Sequence, residues 1–446
     1  MPTRMLAFAL TALALCGVAA LLGGAALQAV AWATGIALAA LVAWALADAA
    51  ASVRAWRTSA LQVSRRLPGA LALGVPHDVV IQVDNRGTRT WTLGVFDEPD
   101  ARFVFEGLPQ EARVAPGSRA TLRYRVTPLR RGGLRFGAVQ LRWRGVFGAL
   151  EFVAGAGEPE ELRVYPNFAA VGRYAWLAGD RRLQQIGIKT YAQRGLGTDF
   201  RQLAEYTRGD PLRHIDWKAT LRQGKPIVRR YQDERDQRVF FLLDCGRRMR
   251  ADEEGVPGGS HFDQALNALM LLGYVALKEG DEVGALTFGN APGRQRDFAP
   301  RKGVATLNAL MNRLYDLEPE AVHSDYLQAA QQLLHWFPRR ALVIVLTNFR
   351  DEDVGELKPA LELLRKRHLV LVASLRERVL REIASQPLAQ PRDAVEAAGA
   401  HLFEQNRRDA FARVAGNDAL SIDVEPAQLP AALVNRYHAV KRAGLL

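Results

Sequence analysis

Between Arg4 and Asp48 the chain carries no charged side chain; Met5 to Ala47 is an unbroken uncharged run of 43 residues. A single membrane-spanning helix needs about 20 apolar residues, so the run is long enough for two. Gly23-Gly24 interrupts it near the middle, and Gln28 is its only side-chain amide. The expected form is a pair of helices, residues 5–22 and 28–47, joined by a tight turn. Inside lipid every backbone N–H and C=O must be paired within the segment, which leaves helices as the spanning form here. Arg4 precedes the first span; Arg54, Arg57, Arg65 and Arg66 follow the second. Positive charge on both outer flanks predicts both termini and the bulk of the chain on the cytosolic side of a bacterial inner membrane. A cleaved signal peptide is the rival reading, but the apolar run continues far past any Ala-x-Ala site. A lipoprotein box at Cys16 fails because Leu15 occupies the small-residue position.

The whole chain of 446 residues is long enough for roughly two to four domains. Two cysteines, Cys16 and Cys245, exclude a disulfide scaffold and any cysteine-based zinc cluster. The formal charge of +12 invites a polyanion partner. Its densest part, residues 181–230, holds 12 basic and 4 acidic side chains. There the signs alternate: Asp199 with Arg201, Arg208 with Asp210, and Arg213, Asp216 and Lys218 together. Such interleaving predicts ion pairs rather than a phosphate-binding stripe. A single-strand platform would also need interleaved exposed aromatics. Nucleic acid is therefore not the expected partner. Leu212, Ile215 and Trp217 read as packing residues, and Gly209-Asp210-Pro211 as a turn.

Residues 48–60 continue the second helix into the cytosol. From Leu61 the texture changes to period-two runs, Val79–Val83, Thr121–Val126 and Val139–Trp143, separated by Gly and Pro turns. These predict a β-sandwich-like module with Trp91, Phe96 and Phe103 in or near its core. From Arg238 strands alternate with helices, which predicts an open doubly wound α/β sheet. Val239–Leu243 and Ala341–Leu346 are continuous apolar runs of the kind a buried parallel strand shows. Ser260 and Asp263 form a capping-box signature for a helix to Lys278. Helices follow at 303–315, 324–337, 353–367, 376–384, 391–398, 406–414 and 427–442, with strands at 282–288, 368–374, 401–403 and 420–424. Sites in such sheets lie at the carboxyl ends of the strands, which puts Asp244 and Asn348 on one rim. The resulting division is a transmembrane hairpin with juxtamembrane helix (1–60), a β-sandwich-like module (61–165), a charged signature segment (166–237) and an α/β domain (238–446).

The order of parts resembles the bacterial family numbered 58 among the domains of unknown function. The residues that carry the resemblance are Asp199, Phe200, Glu205, Tyr206, Arg208, Gly209, Asp210, Arg213, Asp216, Trp217 and Lys218, with Arg130-Arg131-Gly132 and Tyr165-Pro166 as secondary matches. The resemblance implies that the C-terminal domain is von Willebrand factor A-like. It also implies a membrane-anchored protein working beside a MoxR-type AAA+ ATPase in assembling or activating other proteins. A-type domains commonly hold Mg²⁺ through Asp-x-Ser-x-Ser, a later Thr and a later Asp, a set of oxygen ligands suited to a small hard cation. On this sequence those positions fall on Asp244, Gly246, Arg248, Ser324 and Asn348, so one carboxylate and both nearby hydroxyls are lost. A guanidinium about 4 Å from a divalent ion would repel it by roughly 8 kcal/mol at an effective dielectric of 20. Asp244, Ser324 and Asn348 remain as candidate ligands of a degenerate site, and no cofactor is expected. Two readings stand for Arg247 and Arg248: one of them supplies the positive element instead, facing Asp244 or a partner's acidic side chain, or the two form a solvated Arg pair on a loop.

The resulting expectation is an interaction and assembly factor with no intact catalytic set. No Gly-x-x-x-x-Gly-Lys-[Ser/Thr] phosphate loop is present, so any ATPase action would come from the partner. The alternative is a metal-dependent nuclease or hydrolase, with Asp199, Asp210 and Asp216 holding a cation and Lys218 positioning water.

Overall fold

The structure is a computed structural model that describes residues 1–167, 199–207, 212, 215–232, 237–252, 260–415 and 420–445. It divides into two units, Met1–Val164 and Tyr165–Leu446.

The first unit opens with α1 (Arg4–Leu22) and α2 (Leu27–Arg57). Gly24 lies between them at φ +84°, a conformation that favours glycine. Both helices are long and apolar enough to cross a membrane. Phe8, Leu15, Trp32, Ile36 and Leu46 are exposed along them, as lipid-facing side chains would be. The 31 residues of α2 rise about 46 Å, well beyond a hydrocarbon core of about 30 Å. The excess is the expected continuation past Ala47, and it ends at Arg57.

That extension is built into a sheet-rich module. Its strands are β1 (Leu61–Arg66), β2 (Leu71–Ala72), β3 (His77–Asn85), β4 (Trp91–Phe96), β5 (Phe103–Glu106), β6 (Gln110–Val114), β7 (Arg119–Pro128), β8 (Gly132–Phe136), β9 (Val139–Arg144), β10 (Glu151–Ala156) and β11 (Glu160–Tyr165). They form sheets ordered β1-β3-β7-β5, β10-β9-β4-β6 and β2-β11-β8. Alternation along the strands sends Val79, Ile81, Val83, Leu93, Val95 and Leu141 into one core. Trp91 and Phe103 are buried there as expected. On α2, Trp56 stacks on Trp143 at 4.1 Å between centroids and meets Trp91 edge-on at 5.9 Å. Such aromatic contacts are worth about 1 kcal/mol each beyond the area they bury.

In the second unit, β12 (Asp199–Glu205) pairs antiparallel with β13 (Ile227–Gln232). Between them lies the short helix α3 (Trp217–Gln223). Then come β14 (Arg238–Asp244), α4 (His261–Lys278), β15 (Glu282–Phe288), β16 (Asp297–Arg301), α5 (Val304–Leu314), α6 (Tyr326–Trp336), β17 (Leu342–Thr347), α7 (Val354–Arg365), β18 (Leu369–Leu375), α8 (Arg378–Ser385), α9 (Pro391–Ala415), β19 (Ser421–Val424) and α10 (Leu429–Arg442). The six-stranded sheet runs β16-β15-β14-β17-β18-β19. Its pairings are parallel except β15 with β16. The alternating strands and helices thus form an α/β region with a mixed, largely parallel sheet. Successive residues of β14 serve opposite faces: Val239, Phe241 and Leu243 pack in one core, Phe240 and Leu242 in the other. Ser260 caps α4 by accepting from the Asp263 N–H at 3.0 Å.

One expectation fails, and one strand is added. The strand expected at 401–403, between helices at 391–398 and 406–414, is absent, because α9 runs unbroken through all three segments. Neither Pro nor a turn cluster stops the helix there, and the apolar Leu402-Phe403 pair is carried on it. The antiparallel edge strand β16 was not expected; Asp297–Arg301 alternates too briefly to stand out from a loop.

Candidate functional site

β14 has β15 on one side and β17 on the other, and the chain visits them in that order. The carboxyl end of β14 is therefore a topological switch point, where an open α/β sheet leaves a crevice. Asp244, the last residue of β14, occupies it and is fully buried. Among the described residues hydroxyls and one backbone amide, not a cation, hold its carboxylate. Oδ1 accepts from Ser324 Oγ at 2.5 Å and from the Gly246 N–H at 2.8 Å. Oδ2 accepts from Thr347 Oγ1 at 2.7 Å. Thr347 lies 2.9 Å from the hydroxyl of Tyr326, itself buried on α6. Burial pushes the Asp244 carboxyl above the usual range; the three hydrogen bonds oppose that push, and the Asp353 charge adds to it. Burial likewise pushes the Tyr326 phenol well up.

The packing over Asp244 leaves no room for further side-chain atoms. A Cβ at Gly246 would meet Ser324 Oγ at 2.1 Å and the Val322 carbonyl at 2.8 Å. A Cβ at Gly289, which sits at φ +73°, would meet the Gly246 nitrogen at 2.8 Å. Glycine at 246 is thus required by the closure of the rim and is not simply a lost serine.

Arg248 does not face Asp244. Its guanidinium pairs with Glu352 and, at 3.4 Å, with Asp353. Arg248 is therefore already engaged by this chain's own acids just before α7, while Arg247 is exposed. Asn348 is buried; its Nδ2 donates to the Arg248 carbonyl at 3.2 Å and lies 3.1 Å from His261 Nδ1. Burial lowers His261 to about 4, so at neutral pH Nδ1 is available as an acceptor. Among the described residues no three His, Cys, Asp or Glu side chains gather as a metal set. As arranged, the Asp244 group does not fit a divalent cation: both carboxylate oxygens are engaged, and the hydroxyls point their protons at them.

The structure brings Asp244, Gly246 and Ser324 together but turns Asn348 away. Thr347 takes the place the sequence reading gave to Asn348. Leu243 pairs with Leu346 across the parallel strands, so the next pair is Asp244 and Thr347. One residue further along, the side chain points to the other face. The hydroxyl-ended run Leu346-Thr347 was the available signal.

The signature residues fall in several places. Asp199, Phe200 and Glu205 lie on β12, and Tyr206 follows it. Arg208, Gly209, Asp210 and Arg213 lie outside the described residues, and with them the expected turn. Asp216 caps α3, its Oδ1 accepting from the Lys218 and Ala219 N–H groups at 3.1 and 3.0 Å. Its Oδ2 accepts from Arg229 Nε on β13 at 2.9 Å. These bonds hold its carboxyl below the usual range, the Ala219 amide contributing most. Lys218 supplies a backbone donor to that cap. Glu205 pairs with Lys225 at 3.5 Å. Among the described side chains, Asp216 and Glu205 thus pair with Arg229 and Lys225, across the β12–α3–β13 unit. Trp217 and Leu212 are exposed, Trp217 at 67%, which corrects their expected role in packing. Trp217 is the first residue of its helix and turns outward.

Residues 202–419 match the family model described as "Protein of unknown function DUF58". Over that stretch, just under half of its length, the chain is similar to the DUF58 family. The DUF58 region thus takes in part of the signature hairpin and nearly all of the α/β sheet. A curated relative, the "Uncharacterized protein YeaD" of Bacillus subtilis (strain 168), is 21% identical over 239 residues. That match covers 53% of this chain, and the chain spans only 56% of that relative's length. Among solved structures, a FixG-related protein from Vibrio parahaemolyticus is 12% identical at a TM-score of 0.17, covering 24% of this chain and 95% of its own. A cohesin module from a Clostridium perfringens glycoside hydrolase is 11% identical at 0.18, covering 24% and 98%. TM-scores this low carry no argument about fold or function.

Proposed function

We propose that this protein is a membrane-anchored interaction factor that presents a sheet-rich module and a von Willebrand factor A-like domain to cytosolic partners. The observation that carries the reading is the junction between anchor and body. The end of α2 is locked into the module by Asp48, Ser52 and Trp56, so the helices and the module form one piece. A flexible tether would serve mere attachment; a locked one transmits position. The positive flanks of the hairpin support an inner-membrane location with both termini cytosolic. The strand order and the aspartate at the first strand's carboxyl end support the A-like reading of the α/β region. The sealed Asp244 supports interaction without a resident metal. The partner in this reading is a MoxR-type AAA+ ATPase, and the work is maturation of other proteins.

The test is affinity purification of the full chain from detergent-solubilised membranes, with and without nucleotide, followed by mass spectrometry. Recovery of an AAA+ ATPase in stoichiometric amount, changed by nucleotide, is the expected result. Its absence under both conditions overturns the partnership.

A further inference from the structure

The connection between β9 and β10, residues 145–150, sits at an unusual level. Both ends of the helical hairpin are bonded to it. Thr3, the cap of α1, donates its N–H to the Ala149 carbonyl at 3.0 Å and its hydroxyl to the Gly148 carbonyl at 2.8 Å. Asp48, the first charge after the uncharged run, accepts from the Phe147 N–H at 2.7 Å and the Leu150 N–H at 2.8 Å. Ser52 accepts from the Val146 N–H at 2.9 Å. The stretch from Leu27 to Ala47 rises about 31 Å as helix, close to the thickness of a hydrocarbon core. Asp48 therefore falls at the boundary where lipid ends, and the loop bonded to it falls at the same depth.

At that depth the loop exposes Val146 at 38% and Phe147 at 54%. Glycines flank them: a Cβ at Gly145 would meet Asp48 Oδ2 at 2.3 Å, and Gly148 turns the chain at φ +74°. Exposed arginines lie on the elements that meet at the loop: Arg4 opens α1, Arg54 lies on the α2 extension, and Arg144 ends β9 and reaches the Met5 thioether. Apolar side chains beside cations, at the end of a spanning hairpin, are the composition of an interfacial contact.

We propose that residues 145–150 form a membrane-contact loop, with Val146 and Phe147 seated in the headgroup and acyl boundary beside the hairpin and the arginines on lipid phosphates. The apolar surface of the helices continues onto the loop, and the occupant is the bilayer. This rests on the membrane reading of α1 and α2.

The experiment reads depth by spin-label accessibility in vesicles of phosphatidylethanolamine and phosphatidylglycerol. The full chain carries one label at a time: on native Cys16 in α1, on Phe147→Cys, or on Glu158→Cys, the last two with Cys16→Ser. Cys245 is fully buried and stays unlabelled. Glu158 lies beyond the far end of β10, about 17 Å along the strand from the loop. The expected result is an oxygen-over-nickel accessibility ratio at 147 several-fold above that at 158 and below that at 16. A ratio at 147 equal to that at 158, with a lipid-like value at 16, overturns the loop proposal alone. A water-like value at 16 overturns the membrane reading and this proposal with it.

Discussion

Asp48 and Asp244 are both fully buried aspartates, each held by three hydrogen-bond donors, yet they are built from different donors. Asp48 is held by two backbone amides of one loop, those of Phe147 and Leu150, plus the Ser52 hydroxyl at 3.3 Å. Asp244 is held by two hydroxyls from different elements and a single amide, that of Gly246. A backbone N–H can only donate, whereas a hydroxyl donates or accepts. The first site therefore demands an acceptor on both oxygens; the second tolerates a donor on one. The first is a clamp between helix and loop. The second gathers the ends of β14 and β17 and the start of α6 under one lid.

The largest effect is expected at the clamp. Asp48→Asn turns an amide donor toward a backbone donor in either orientation and should destabilise the loop by about 3 kcal/mol. Exchange of the Phe147 and Leu150 amides should quicken roughly a hundredfold, read by hydrogen-exchange mass spectrometry. Unchanged exchange would dissolve the distinction between the two sites. Next, Gly246→Ser, which restores one residue of the metal-binding pattern, should destabilise the α/β region by about 2 kcal/mol through overpacking against Ser324. It should also fail to create Mg²⁺ binding by calorimetry; binding in the variant would show that the rim opens more readily than its packing implies.

A third test contrasts these carboxylates, held by amides and hydroxyls, with one that is paired with a lysine. Glu279 is partly buried, which would raise it, but hydrogen bonds from His438 and Lys441 on α10 hold it down at about 2. A lowered carboxyl stabilises the fold above its ordinary value of 4.5, and that stabilisation is lost as pH falls from 4.5 toward 2. Glu279→Gln should lower stability at neutral pH and flatten the acid limb of the denaturation profile over that window. An unaltered limb would deny the pairing its role. The smallest effect is expected for Asp244→Asn, within about 1 kcal/mol, because the new amide can donate to Thr347 while the remaining oxygen keeps Gly246 and Ser324. A cost equal to that of Asp48→Asn would break the comparison outright.

Much of the architecture was legible from local patterns. Val239–Leu243 reads as a buried strand because every residue is apolar, and it is one. Ser260 with Asp263 reads as a helix start because the cap spans only three residues. Leu402-Phe403 misled because a short apolar pair fits helix and strand alike, and only packing along α9 decides. At the rim, Asp244 was identifiable as the end of a strand, but its partners lie 80 and 103 residues away. The choice of Thr347 over Asn348 depends on strand register, which no single strand encodes. Arg248 was legible as a charge near the rim, but its turn away from Asp244 to Glu352 and Asp353 required the fold of the segment before α7.

The hairpin, the alternating strands of the module and the strand–helix alternation of the C-terminal region follow from the sequence alone, because charge gaps and hydrophobic periods act over a few residues. Tertiary structure alone decided that Asp48 is a clamp, that Gly246 is a seal and that Asp216 joins a helix start to a strand. Each of those roles needs atoms from another segment: the Phe147 and Leu150 amides at Asp48, the Ser324 hydroxyl and Val322 carbonyl packed on Gly246, and the Arg229 guanidinium at Asp216.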